Sequence, residues 1–472
     1  MSEKFQLQRR FLLKAIAASM LVPRIVLGNT VTNPDVVIIG AGVAGIEAAK
    51  TLHDKGISFV VVEANYRIGG RVHTDNSIFG VPFDTHAHWM MISRKNPLIN
   101  YAKDNGFNIY EDLEKQKYFV GNREATEDEL ADLRRTDKAF NNKIRDSVLN
   151  GVAGDDDNAR TALGEDFFQS PWGYTVASDY GVWNMAENSK DWSPKDWWNS
   201  IGGDDWFCAE GYGSVVAHYG QDVPVALATA VKEINWQGDG VKVVTWQAGT
   251  IKAKAAILTV SVGVLAANHI KFTPELPVEK QEAIYGIDMA VMNYIGLHFT
   301  DDVFNFGADT YVYKQQHDED GVGYLANLNN TNLVYGYVGG DQAKALEKET
   351  IDTAIAYGLD GMKSMLGNDI EKKFIKGYAT ACGQIPFYEG AYSAAKPGKQ
   401  PMRAVLRETL ADKLFFSGEA THRVQWGSVN GGLYSGRESA NQAARYIKRK
   451  WGGLWRDRPG LWSDAQQHAR RG

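Results

Sequence analysis

Asp35-Val36-Val37-Ile38-Ile39-Gly40-Ala41-Gly42-Val43-Ala44-Gly45 decides the fold. The run Val36 to Ile39 is apolar at every position, as in a strand buried on both faces of a parallel sheet. Glycines follow at once, and Ile46 to Lys55 reads as a helix that turns Ala48, Ala49 and Leu52 inward. A second strand, Ser58 to Val62, ends at Glu63, so the whole is a βαβ unit rather than an isolated glycine pattern. Gly40 permits the tight turn, Gly42 lets a pyrophosphate approach the backbone, and Gly45 lets helix and strand close on each other. Free N–H groups and the positive end of the helix dipole then hold phosphates. Glu63, 23 residues after Gly40, stands where a carboxylate accepts hydrogen bonds from ribose hydroxyls. Ala44 and Ala64 are counted with these as cofactor-binding positions.

Arg67-Ile68-Gly69-Gly70-Arg71-Val72-His73-Thr74 follows directly and resembles the second glycine motif of FAD-binding oxidoreductases. In that resemblance Gly69 and Gly70 pass close to the cofactor, and Arg71 sits near its phosphates or ring. Four further stretches are similar to flavin-containing amine oxidases of the monoamine and polyamine oxidase group, and the similarity spans about residues 35–450. They are Val225 to Leu265, Ile270 to Ile284, Glu389-Gly390-Ala391-Tyr392-Ser393, and Leu414 to His422 with Gly427-Ser428-Val429-Asn430-Gly431-Gly432. The resemblance implies a discontinuous, Rossmann-like α/β FAD-binding domain built from 35–100, 205–275 and 400–450. An α+β substrate domain, from 101–204 and 276–399, is inserted into it.

The same resemblance implies roles for single residues. Val231 meets the adenine end through its backbone. Gly418, Glu419 and Val429 complete the FAD site, with Glu419 ending a buried strand and able to bind ribityl or ribose hydroxyls. Tyr392 forms one wall of an aromatic cage around the amine. Ser428 stands where monoamine oxidases place the opposite Tyr, and Trp426 is a candidate substitute. His88 is either a substrate contact or a structural histidine. Ala391 replaces the flavin-linking Cys of monoamine oxidases, so the FAD is expected to be non-covalent. The expected chemistry is oxidation of a primary or secondary amine by hydride transfer to flavin N5, giving an imine that hydrolyses to an aldehyde or ketone.

Two departures bear on that reading. Most of the family carries a Lys that holds a water against the flavin, but no Lys occurs between Lys280 and Lys314. Asn293 or Tyr294 takes the position, which leaves oxygen or a redox protein or quinone as the electron acceptor. Amino-acid oxidases of the group use an Arg in the segment written here Ala87-His88-Trp89, and its absence favours amines. An L-amino-acid oxidase would need a displaced Arg such as Arg94, and an accessory flavoprotein without turnover is the other alternative.

Composition sets the outer bounds. The 472 residues suit two to four domains, and 44% apolar with 23% charged residues is ordinary for a globular chain. A net charge of −6 offers no general reason to bind nucleic acid. Cys208 and Cys382 cannot build a disulfide framework or a thiolate zinc site, no metal site is expected, and two buried thiols are the expected state. At the front, Arg9-Arg10-Phe11-Leu12-Leu13-Lys14 precedes an apolar run ending at Val22, too short to span a bilayer. Residues 1–28 resemble a twin-arginine signal, implying export of the folded protein to the periplasm with no membrane span remaining. A homo-oligomer is compatible with the sequence. Six Trp fall between Trp172 and Trp206, either aromatic core or the wall of a channel for amines. The acidic loop Asp155-Asp156-Asp157 reads as solvated, and the tail 451–472 has no legible role.

Overall fold

A computed structural model describes residues 33–151 and 157–452. The expected export segment 1–28, Asp155 and Asp156, and the tail beyond Gly452 lie outside the described residues. Val36–Ile39 is the central strand of a five-stranded parallel sheet. Its neighbours are Ala255–Leu258 and Phe59–Val62, flanked by Leu414–Phe416 and Val225–Ala226. Alternation sends Val36 and Ile38 into one core, while Val37 and Ile39 enter another on the opposite face. Both faces are therefore buried, as the continuous apolar run required.

The helix Val43–Asp54 covers one face, and the closing helix Val429–Trp451 lies against it. Their approach is close: a Cβ added to Gly436 would lie 2.1 Å from the Ala44 carbonyl oxygen. Arg437 pairs with Glu47 across the two helices at 2.6 Å. A four-stranded sheet in the order Thr250–Ala253, Val241–Thr245, Val231–Asn235 and Lys271–Thr273 lies beyond the other face.

The second large sheet has seven strands. Its order is Phe374–Ala379, Met292–Phe299, Leu333–Gly339, Gly323–Ala326, Thr310–Lys314, Lys115–Val120 and Arg123–Glu124. The one parallel pairing in it, Thr310↔Lys115 to Lys314↔Phe119, joins the two inserted stretches of sequence into a single sheet. Its two faces differ in chemistry because strand side chains alternate. Ile295, Leu297, Val312, Val334 and Val338 face a core that includes Leu359, Met362 and Met365 of the helix Ile351–Leu366. Tyr294, Tyr313, Tyr335 and Tyr337 face the other way, towards Trp183 and Trp426. The long helix Glu127–Leu149 packs on this second layer through Leu133, Phe140 and Ile144, and a capping box between Thr126 and Glu129 starts it.

The crossing between the layers starts earlier than residue 100. Phe79 and Phe83 belong to the core of the second sheet, and a Cβ on Gly296 would lie 2.7 Å from the Phe79 ring. Phe83 packs edge-on against Tyr335 of the tyrosine face with ring centroids 5.4 Å apart, and Phe79 packs edge-on against Phe83 at 5.1 Å.

Candidate active site

One cavity of about 2370 Å³ runs from the glycine turn to the tyrosine face of the second sheet. At its first end the turn is set by Gly40, whose φ of +106° places a Cβ only 2.5 Å from Thr259 Oγ1. Gly45 does not line the cavity; a Cβ on it would fall 1.9 Å from the Gly40 carbonyl oxygen, so its role is close packing. Gly42 begins the helix without a side-chain cap, and nothing lies within 4 Å of where its Cβ would be. Bare helix N–H groups facing open space suit an anionic ligand.

Glu63 is buried beside this turn. Its Oε2 accepts from the Ala41 N–H at 2.6 Å and its Oε1 from the Asn65 N–H at 2.8 Å. Burial pushes the carboxyl up, against the pull of those amides and of Arg67. Each oxygen keeps a lone pair for the cavity. Ala44, Ala64, Gly70, Val231, Gly418 and Val429 line the same space.

Further along, Arg71 donates to the Ala391 carbonyl and to Glu419 Oε1, both at 2.9 Å. The Glu419 carboxylate also accepts from the Ser393 N–H and hydroxyl and from the Gly427 N–H, at 3.2, 2.6 and 2.8 Å. Burial acts to raise its carboxyl, yet Arg71, Ser393 and Arg403 outweigh this and hold it below its usual value. All four bonds go to protein, so Glu419 is first a clamp on the cavity wall and not a free hydroxyl acceptor. In the turn that follows, Gln425 Oε1 and Trp426 Nε1 are buried without partners, and both residues line the cavity. Buried polar groups are rarely left so, and these are suited to a ligand's polar atoms.

The far end is an aromatic box. Tyr294 stacks on Tyr335 with centroids 4.6 Å apart, and Trp89 stands near both. Trp89 Nε1 donates to the Tyr311 hydroxyl at 2.6 Å, which in turn donates to Asp112 at 2.5 Å. Tyr392 donates its hydroxyl to the Asn184 carbonyl at 2.7 Å, fixing the ring across the cavity. Asn184 lies in the π turn Gly181–Met185, a type of irregularity common at functional sites. Burial, with Tyr294 nearby, raises the Tyr392 phenol far above its ordinary value, so it remains a neutral ring. Of the clustered tryptophans, Trp183, Trp197 and Trp198 line the cavity, whereas Trp172 and Trp192 are core.

His88 lies on the cavity wall with its Nδ1 2.8 Å from Asp84 Oδ2, between the rings of Phe207 and Tyr335. Trp426 covers the Arg403 guanidinium at 4.5 Å. Ser428 departs from its expected role. Its hydroxyl donates to the Gln425 carbonyl and accepts from the Gly431 N–H, capping the closing helix, so it reaches the cavity without a free hydroxyl. Asn293 bonds Glu347 and the Cys382 N–H away from the cavity, and Tyr294 is the one of the two that lines it. Arg94 points to Asp204 with its side chain 90% exposed and does not reach the cavity. Cys208 and Cys382 are free and buried.

Sequence reading missed the tyrosine face and Asp179. The alternations Tyr311-Val312-Tyr313 and Tyr335-Gly336-Tyr337 are the signal that carries the first. Asp179 lines the cavity at the end of the helix Gly173–Tyr180 and has no hydrogen-bond or ion-pair partner; the charges nearest it in effect are Asp137 and Glu114, both acidic.

The chain resembles known proteins in sequence and in fold. The sequence profile of the family described as flavin containing amine oxidoreductase matches residues 43–444. Polyamine oxidase 4 of Oryza sativa subsp. japonica is 29% identical over 448 residues, covering 88% of this chain and 89% of the relative. Polyamine oxidase 2 of Arabidopsis thaliana is 28% identical over 456 residues, covering 89% and 90%. Among solved structures, putrescine oxidase bound to putrescine superposes with a TM-score of 0.72 at 18% identity, covering 87% of this chain and 98% of that one. Cyclohexylamine oxidase from Brevibacterium oxydans IH-35A gives 0.72 at 21% identity, covering 88% and 100%.

Proposed function

Since the chain belongs to the family of flavin containing amine oxidoreductases and carries out FAD-dependent amine oxidation, we propose that its substrate is a linear amine with a second positive charge. The observation that carries this is Asp179, an unpartnered carboxylate in the same cavity as the aromatic box. Tyr313 and Tyr337, which feel the charge of Asp179, are bonded to each other at 2.9 Å, and Tyr337 lies 5.9 Å from Trp89. An amine reacting beside Tyr392 and Trp89 would therefore reach Asp179 with its distal ammonium along a wall of rings. The names of the relatives, polyamine and putrescine oxidases, support the same class.

When bound, FAD supplies the two-electron acceptor for the amine's α C–H. The chain's own residues supply the rest. Helix N–H groups at Gly42 and the Glu63 carboxylate would hold the nucleotide, and Arg71 with Glu419 would face the ring. Tyr392, Tyr294 and Trp89 would orient a neutral amine and exclude water. Ala391 offers no nucleophile to the flavin, so the cofactor is held without a covalent bond. The missing Lys favours a redox protein or quinone over oxygen as acceptor. The twin-arginine pattern favours a periplasmic location, and no helix among the described residues is long and apolar enough to cross a membrane.

Steady-state kinetics over monoamines and diamines of increasing length test the substrate class. A much lower KM for diamines is expected; equal kcat/KM for monoamines of the same length would remove the argument for Asp179.

A further inference from the structure

Arg403 does not line the cavity and is 1% exposed, yet all five of its N–H groups are engaged. Nε and Nη2 meet the two oxygens of Asp196 at 2.7 Å each, a planar fork with both partners fully buried. Nη1 donates to Ser393 Oγ at 2.9 Å and to the Ala420 carbonyl at 3.1 Å, and Nη2 reaches the Ser393 carbonyl at 3.4 Å. Ser393 Oγ then donates to Glu419 Oε2 at 2.6 Å, and Glu419 holds Arg71 and the Gly427 N–H. The guanidinium face carries the Trp426 ring.

The residues on the ends of this chain are the two sides of the site. Ser393 directly follows Tyr392 in the strand Tyr392–Ala395. Gly427 follows Trp426, and a Cβ on it would meet the Tyr392 ring at 3.6 Å. Asp196 additionally accepts from the Ala395 N–H at 2.9 Å, so the same strand is held from both ends. Charges alternate along the chain, Asp196, Arg403, Glu419 and Arg71, and sum to zero, so no member is buried uncompensated.

We propose that Arg403 is a positioning residue for the amine-oxidation site: acting through Ser393 and Glu419, it fixes the spacing of Tyr392 and Trp426 and the direction of Arg71. The proposal rests on reading the cavity as the flavin and amine site. A merely structural ion pair would contribute to stability alone, whereas a positioning chain also controls affinity for what the walls enclose.

Two variants separate these roles. Ser393→Ala cuts the relay without changing charge, and Arg403→Lys keeps the charge but cannot fill the planar fork. The measurements are the FAD dissociation constant of apoprotein, KM against kcat for the amine, and Tm. Ser393→Ala is expected to weaken FAD binding and raise the amine KM by about threefold to tenfold each, with Tm lowered only slightly. Arg403→Lys is expected to move all three further in the same direction, and if it fails to fold Ser393→Ala decides alone. Variants that bind FAD and amine as the wild type does, with only Tm reduced, would overturn the proposal. Wild-type protein that takes up no FAD would overturn the reading of the cavity and this proposal with it.

Discussion

Burial, with Asp137 and Glu114 nearby, pushes the Asp179 carboxyl up to about 7. Below that pH the group is neutral and offers a distal ammonium little; above it the carboxylate is formed. For a diamine, kcat/KM is therefore expected to rise as pH passes about 7, a limb absent for a monoamine. Asp179→Asn should abolish that limb and raise the diamine KM by about tenfold or more, leaving monoamines near wild type. The linked stability has a definite sign. A carboxyl that binds its proton more tightly when folded adds stability that is present at acid pH and lost as pH rises through about 7. Apoprotein of Asp179→Asn should accordingly lose less Tm than wild type on going from pH 5 to pH 8, measured calorimetrically at about those two values. His86 shows the opposite case: burial, then Arg67 and Arg71, hold its imidazole down to about 3, so it contributes a neutral ring at every working pH. Asp179 was illegible in the sequence because nothing local separates it from other helical aspartates. Its meaning comes from Asp137 and Glu114 and from the rings of Tyr313 and Tyr337, brought to it from distant parts of the sequence.

At the scale of elements, the glycine turn is the part most rigidly specified. Gly45→Ala would drive a methyl into the Gly40 carbonyl, so we expect about 2–4 kcal/mol of destabilisation and weakened FAD uptake, measured by thermal unfolding with and without added FAD. Gly42→Ala, where open space surrounds the Cβ position, should fold as wild type and lose affinity for FAD alone, because the methyl would occupy the ligand's approach. The βαβ unit was legible because strand, turn and helix are local and each residue has one mechanical reason. The closing helix was legible too, but the part played by Ser428 was not. Its side chain satisfies the helix's own start, a role that Ser fills wherever a helix begins, so position relative to the aromatic wall said little about its chemistry. The tyrosine face shows the same limit. Alternation in Tyr311-Val312-Tyr313 indicates a two-faced strand, but only the pairing of seven strands into one sheet reveals that the polar-tipped face looks onto a cavity.

Over the whole molecule, two strands offset by 195 residues in sequence, Thr310–Lys314 and Lys115–Val120, meet as a parallel pair in one sheet. The expectation of an inserted part came from the interruptions in the nucleotide-binding pattern, and it did not anticipate that Phe79 and Phe83 already pack in the second core, since aromatic residues in a crossing loop give no direction. The same scale holds the question of the electron acceptor. Met292 and Tyr294, and no Lys, line the cavity from Met292–Phe299, so reduced protein is expected to react slowly with air and quickly with a quinone or redox protein. Stopped-flow reoxidation at rates typical of oxidases would contradict that. The central claim is that one cavity holds FAD at the glycine turn and an amine at the aromatic box, and anaerobic titration of the purified, FAD-loaded protein with a diamine tests it most directly. The visible flavin band should bleach completely at about one equivalent of amine per bound flavin. A band that stays unchanged with every amine offered, or a protein that cannot be loaded with FAD at all, would contradict it.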